Sequence, residues 1–211
     1  MTMKLHCFGE SGNAYKVALT LTLADQEWEP VFVDFFNGGA RSPEFHALNE
    51  MGEVPVLEDG ELILTQSGVI QDYISSKSGK LGGKSAAERR EVLRWMFYDN
   101  HKISGVAGGL RFNTNFLAEE KRNADVIAFQ SARLHSALRV VDAALASRPW
   151  LAGAEVTIAD LATCGYLYYP EPFGFDRADY PAIDRWLDAI AALPGWKAPY
   201  DMMPGSPEDR A

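Results

Sequence analysis

The sequence predicts a chain in two parts, α/β over residues 1–78 and all-helical over residues 86–211. Three observations carry this. Short β-branched and aromatic runs alternate with helical runs in the first part. A polar, glycine-rich stretch at 76–85 then breaks the pattern. Beyond it no run reads as a strand, and apolar residues recur at helical spacing.

The elements of the first part follow from local chemistry. Residues 4–8 read as a strand and 9–13 as a turn. Residues 14–24 read as a helix that is apolar nearly all round, as a buried helix must be. Residues 28–35 form a second strand, ended by Asn37-Gly38-Gly39. Ser42 caps a short helix with Pro43 at its first position. Residues 54–58 and 61–64 form a hairpin across Asp59-Gly60, a strong turn signal. Residues 67–75 are helical. The order βαβαββα implies a parallel pair with a right-handed crossover, closed by an antiparallel hairpin.

The second part is predicted to hold one helical run over 86–117, with Gly105, Gly108 and Gly109 bending or interrupting it. A long amphipathic helix follows over 119–146, then two more over 157–168 and 182–193. The polar tail 204–211 is expected to be loose.

Composition excludes several function classes. Net charge is -9 and no run of Lys or Arg stands out, so no nucleic-acid partner is expected. No apolar run approaches a membrane span and the N-terminus lacks a signal-like stretch, so no membrane partner is expected. The two cysteines, Cys7 and Cys164, and the four histidines form no ligand cluster, so neither a disulfide framework nor a metal is expected. A reducing, cytoplasmic setting is the default.

The most informative stretch is Gly52-Glu53-Val54-Pro55-Val56-Leu57, followed by Thr65-Gln66-Ser67. A proline here marks a trans residue opening an edge strand, or a cis bond that leaves the Val54 backbone open to a ligand. Ser11 stands where a helix begins. So do Gln66-Ser67. Thr157 and Asp160 are spaced as a capping box and carry no chemistry.

These landmarks, in this order, resemble the cytosolic glutathione transferases. The quoted parts are Ser11-Gly12-Asn13-Ala14-Tyr15-Lys16, Val54-Pro55, Gln66-Ser67 and Thr157-Ile158-Ala159-Asp160. The Ser-x-Asn turn is similar to nu-like and theta-like bacterial members. The resemblance implies a thioredoxin-like N-terminal domain and a helical C-terminal domain. It also implies glutathione as co-substrate, a small electrophilic second substrate, a homodimer and no metal.

Site roles follow from the same resemblance. A free thiol has a pKa of about 8.5, so the enzyme must stabilise the thiolate. Ser11 is the candidate donor to sulfur, and its other reading is a helix N-cap; one hydroxyl is expected to serve these roles in competition. Asn13 is a second donor or is itself the cap. Gln66 and Ser67 would hold the γ-glutamyl end, and Val54 would pair with the cysteinyl backbone, with Pro55 cis. Glu53 departs from the family, where Lys, Gln or His faces the glycine carboxylate; Glu53 must turn away or weaken binding. Lys16, Arg41 and Lys102 are possible compensating cations, with Lys16 expected on a solvated helix face.

The second substrate is expected between the domains, near Tyr15, Tyr98, His101 and Arg111, among Trp95, Lys102, Phe112 and Asn113. The family reading leaves peroxidase and disulfide-reductase activity open. The absence of Cys at position 11 argues against chemistry on an enzyme thiol. The alternative is a non-catalytic interaction module on the same fold.

Overall fold

The first strand sets the topology, because it is paired on both sides. The computed structural model describes residues 2–207. Strand β1 (Met3–Cys7) runs parallel to β2 (Trp28–Phe32), from Met3 opposite Trp28 to Cys7 opposite Phe32. It runs antiparallel to β3 (Val56–Asp59), which turns at Gly60 into β4 (Leu62–Thr65). The sheet order is β2-β1-β3-β4. Pro30 sits in an edge strand, where a missing donor is tolerated.

Helix α1 (Gly12–Leu23) makes the crossover between β1 and β2. Leu5 and Leu57 face each other on one side of the sheet and are fully buried. His6 and Val56 share the opposite side. There Phe45 of α2 (Pro43–Leu48) packs with Val33, Ala40 and Val56. Helix α3 (Ser67–Ser78) lies against α1, and Gln71 donates to Thr20 across that contact at 3.0 Å.

Four expectations change here. Helix α1 is buried along its first three turns, so Lys16 is inside (2% exposed) and not on a solvated face. β2 stops at Phe32 because Val33 makes one last bond to Cys7 and then accepts from Phe35, turning the chain. β3 starts at Val56, after a cis Val54-Pro55 bond, not at Val54. Helix α3 runs on to Ser78, where Gly79 in the left-handed region caps it.

The chain divides into two compact units. One holds the chain up to Lys80 together with the segment from Leu193 onward; the other is Leu81–Ala192. The expected helical domain 86–211 is therefore too long at its end. The reason lies in three contacts made by the returning segment. Tyr15 donates its hydroxyl to Lys197 O at 2.8 Å. Gly9 N–H donates to Pro204 O at 2.6 Å, just after α9 (Pro199–Met202). A side chain on Gly205 would run into the Phe32 ring. The start of the tail expected to be loose is thus docked; residues 208–211 lie outside the described residues.

The second unit is helical throughout. Helix α4 (Ala86–Tyr98) is capped by Ser85 and passes through a π-helical stretch, Asp99–Ser104, into α5 (Gly105–Arg111). A second π stretch, Phe112–Phe116, follows. The glycines do not break this run. Gly108 instead admits the Tyr166 hydroxyl and Gly109 the Gln130 amide. Helix α6 (Ala124–Leu145) begins later than expected, because Asn123 caps it after a 3-10 turn at Glu119–Lys121. Helices α7 (Ile158–Cys164) and α8 (Pro181–Ala191) complete the unit. Helix α7 stops short of the expected Tyr168, at Gly165. No helix among the described residues is long and apolar enough to cross a membrane.

Asp160 is the polar centre of this unit. Its fully buried carboxylate accepts from Thr157 N (2.9 Å), Thr157 Oγ1 (3.0 Å), Leu151 N (2.8 Å) and Trp186 Nε1 (3.0 Å). The reciprocal capping box read from the sequence is present. Burial pushes the carboxyl pKa up, and the donated bonds oppose that push. Asp160→Ala would orphan three buried N–H groups at once. Urea unfolding is expected to show a loss of roughly 3 kcal/mol or more. A loss below about 1 kcal/mol would contradict this role.

Candidate functional site

Strand register decides where the candidate residues meet. His6 of β1 pairs with Val56 of β3, and Val56 pairs with Thr65 of β4. The segments beyond these positions therefore leave the sheet at the same end. They are the Phe8 to Ser11 turn, Glu53-Val54-Pro55 and Gln66-Ser67. Neighbouring strands are about 4.8 Å apart, so the three ends lie within the length of a short extended peptide.

Ser11 is the N-cap of α1 and is buried. Its Oγ accepts from Ala14 N at 3.2 Å. A hydroxyl has one proton to donate and two lone pairs to accept with. Capping uses a lone pair and leaves the proton. The expected competition between cap and donor is thus removed by the direction of the bond. Asn13 is not the cap; it stands inside the first turn, half-buried, and its side chain makes no hydrogen bond among the described residues. The dipole of α1 adds partial positive charge at this turn.

The Val54 segment is shaped by Asn49, which sequence reasoning missed. The buried Asn49 donates Nδ2 to Glu53 O at 2.7 Å and accepts from Met51 N at 3.1 Å. Gly52 sits at φ 62, and a side chain there would press on Ala40 O at 3.0 Å. The signal was present as Asn-x-x-Gly, a side chain closing its own turn before a glycine. Val54 is half-buried, and its backbone N–H and C=O are engaged by no described residue. Such groups suit pairing with an extended peptide.

Gln66 stands at the start of α3 with φ 67 and ψ 116, away from the regions that L residues favour. Strain of this kind clusters at ligand sites and costs of order 1–3 kcal/mol. Its amide approaches Glu53 Oε2 at 3.4 Å and Met51 Sδ at 3.0 Å. Glu53 does not simply turn away from the site; its carboxylate reaches the residue that opens α3. Ser67 follows as the first residue of α3, a second helix N-terminus at the same sheet end.

The remaining candidates are differently placed. Tyr15 is fully buried and its hydroxyl is given to Lys197, so it presents no surface to a substrate. Tyr98, His101 and Arg111 belong to the second unit. Tyr98 is half-buried, donates to Ala137 O at 3.3 Å, and burial pushes its phenol pKa up. His101 is exposed in the first π stretch. Arg111 is buried, pairs with Glu171 at 2.8 Å and lies 3.7 Å from the Tyr169 ring centroid. That guanidinium holds its own unit together rather than facing solvent. Arg41 and Lys102 are exposed. Cys7 is fully buried, and burial pushes its thiol up to about 12, so it carries no thiolate near neutral pH. Among the described residues, no group of three or more His, Cys, Asp or Glu could hold a metal ion.

Comparison with known proteins covers both parts of the chain. The family described as Glutathione S-transferase, N-terminal domain, matches residues 1–76, and Glutathione S-transferase, C-terminal domain, matches 94–194. Glutathione S-transferase 3 of Zea mays is 31% identical, over 97% of this chain and 96% of its own. Disulfide-bond oxidoreductase YfcG of Escherichia coli (strain K12) is 28% identical, over 89% of each. A crystal structure of a glutathione S-transferase from Xanthobacter autotrophicus Py2 superposes with a TM-score of 0.87 at 30% identity. That match covers 94% of this chain and 97% of the other.

Proposed function

The chain belongs to the glutathione S-transferase family, and from that premise we propose that Ser11 stabilises the thiolate of bound glutathione. The chain is a glutathione transferase, an enzyme, by this membership. The observation that carries the reading of Ser11 is the direction of its cap bond. Oγ accepts from Ala14 N and keeps its own proton for sulfur. The α1 N-terminus favours the same negative charge. Asn13, one turn-position on, adds a second donor from an amide that no described residue uses.

The rest of the ligand is assigned by chemistry. Val54 pairs its backbone with the cysteinyl residue as a strand would, with Pro55 fixing the segment. Ser67 and the start of α3 take the γ-glutamyl carboxylate. Glu53 takes the γ-glutamyl ammonium, beside the Gln66 amide at 3.4 Å. The expected clash of Glu53 with the glycine carboxylate is replaced by an attraction at the other end of the tripeptide. The thiolate then attacks an electrophilic carbon. A carbon–sulfur bond forms, and the displaced group leaves with its electron pair.

A second reading is disulfide reduction by glutathione itself, without an enzyme thiol. The name of the YfcG relative favours it, and the high pKa of Cys7 is in keeping with it. A non-catalytic docking role is the outcome if glutathione does not bind.

We also propose a homodimer. Each unit leaves large apolar side chains exposed: Met51 (54%) and Val69 (55%) in the first, Phe97 (72%) and Phe129 (63%) in the second. Sedimentation is expected to give twice the chain mass; the mass of one chain would contradict this.

Millimolar glutathione is expected to raise the melting temperature by mass action. Glu53→Gln is expected to weaken glutathione about tenfold, the value of one charge-assisted bond, while leaving the des-amino analogue unaffected. Equal weakening of both ligands would contradict the ammonium pairing. No shift with reduced or oxidised glutathione would overturn the enzyme reading.

A further inference from the structure

The turn that carries Ser11 also forms one wall of a cleft of about 660 Å³, contained within the first unit. Its walls combine two kinds of surface. Phe8, Phe35 and Phe36 form an aromatic corner. Phe8 stacks on Phe35 with centroids 4.7 Å apart, and Phe36 stands edge-on to them at 5.8 and 5.5 Å. Beside these rings lie two carboxylates, Glu10 and Asp34. Pro204 and Gly205 of the returning segment close another side. Among the described residues, no lysine or arginine lines the cleft.

The size suits a small organic molecule, and the ring faces suit a flat one. The charges select further. Ring faces are negative, and a cation within about 6 Å of a centroid is attracted to them. The carboxylates act in the same sense and oppose an anion. Asp34 is held in place by Asn37, whose N and Nδ2 donate to Oδ1 at 3.3 and 3.1 Å, with Nδ2 also 3.0 Å from Oδ2. It has no basic partner among the described residues. Oδ2 therefore retains capacity for a further donor.

We propose that this cleft takes a flat aromatic ligand bearing a positive charge, and that it sets the class of electrophile presented to the Ser11 turn. The role as electrophile rests on the glutathione reading above; the preference for a cation rests on the cleft alone.

The test uses three probes of one shape and different charge: benzyltrimethylammonium, its uncharged isostere neopentylbenzene, and the anion phenylmethanesulfonate. Binding to the full chain is read by ligand-observed NMR, with and without glutathione. Benzyltrimethylammonium is expected to bind about tenfold tighter than either of the others, and to weaken as salt rises. Asp34→Asn is expected to remove most of that preference while the glutathione thermal shift persists. Equal or tighter binding of the neutral or anionic probe would overturn the proposal. So would no binding of any probe, or an unchanged preference in Asp34→Asn. A cation preference without any glutathione shift would uphold the cleft's selectivity and overturn only the glutathione reading.

Discussion

One hydrogen bond at the start of α1 fixes what the site can do. Ala14 N–H points at Ser11 Oγ. This satisfies a backbone donor that would otherwise be orphaned. It also uses an acceptor lone pair of the hydroxyl and leaves the proton out of the cap. A capping serine thus keeps a donor proton where the helix dipole is already positive. The surrounding chain keeps it there. Ser11 N donates to Phe8 O at 3.1 Å, and Gly9 N is tied to Pro204 O from the far end of the sequence. The same returning segment is pinned at Lys197 by Tyr15.

The sheet then brings the other contacts to the same end. Because β3 is antiparallel to β1, the start of β3 lies beside the end of β1. Because β4 is antiparallel to β3, the end of β4 lies there as well. Three segments distant in sequence become neighbours through register alone. The acid is the chain's own variation on this frame. Gln66 brings no charge, and Glu53, across the sheet end, brings one. The Gln66 amide and the Glu53 carboxylate stand 3.4 Å apart there.

Much of this was legible. The alternation of strand and helix, the Asp59-Gly60 hairpin, the Ser42 cap and the Thr157/Asp160 box are local signals, and each is where local chemistry puts it, while the choice of Ser11 over Asn13 as the α1 cap came only with the structure. What was not legible depends on tertiary contacts. Lys16 reads as a surface residue because a lone charge on a mostly apolar helix is assigned to whatever face stays open, and only packing closes that face. The segment from Leu193 reads as the end of a helical domain because its partners, Gly9, Tyr15 and Phe32, lie almost the whole chain away. Arg111 reads as a pocket cation because its closure by Glu171 and Tyr169 is decided by packing. The Glu53 carboxylate reads as turned away or as a clash, because its approach to the Gln66 amide depends on two segments distant in sequence.

The most direct measurement is the ionisation of the glutathione thiol in the complex, followed by thiolate absorbance against pH. The account predicts that the bound thiol ionises below its free value of about 8.5. In Ser11→Ala it should return upward by about one pH unit, equivalent to ~1.4 kcal/mol of lost thiolate stabilisation, while Ser11→Thr retains the lowered value. An identical bound-thiol pKa in the parent protein and in Ser11→Ala would contradict the account.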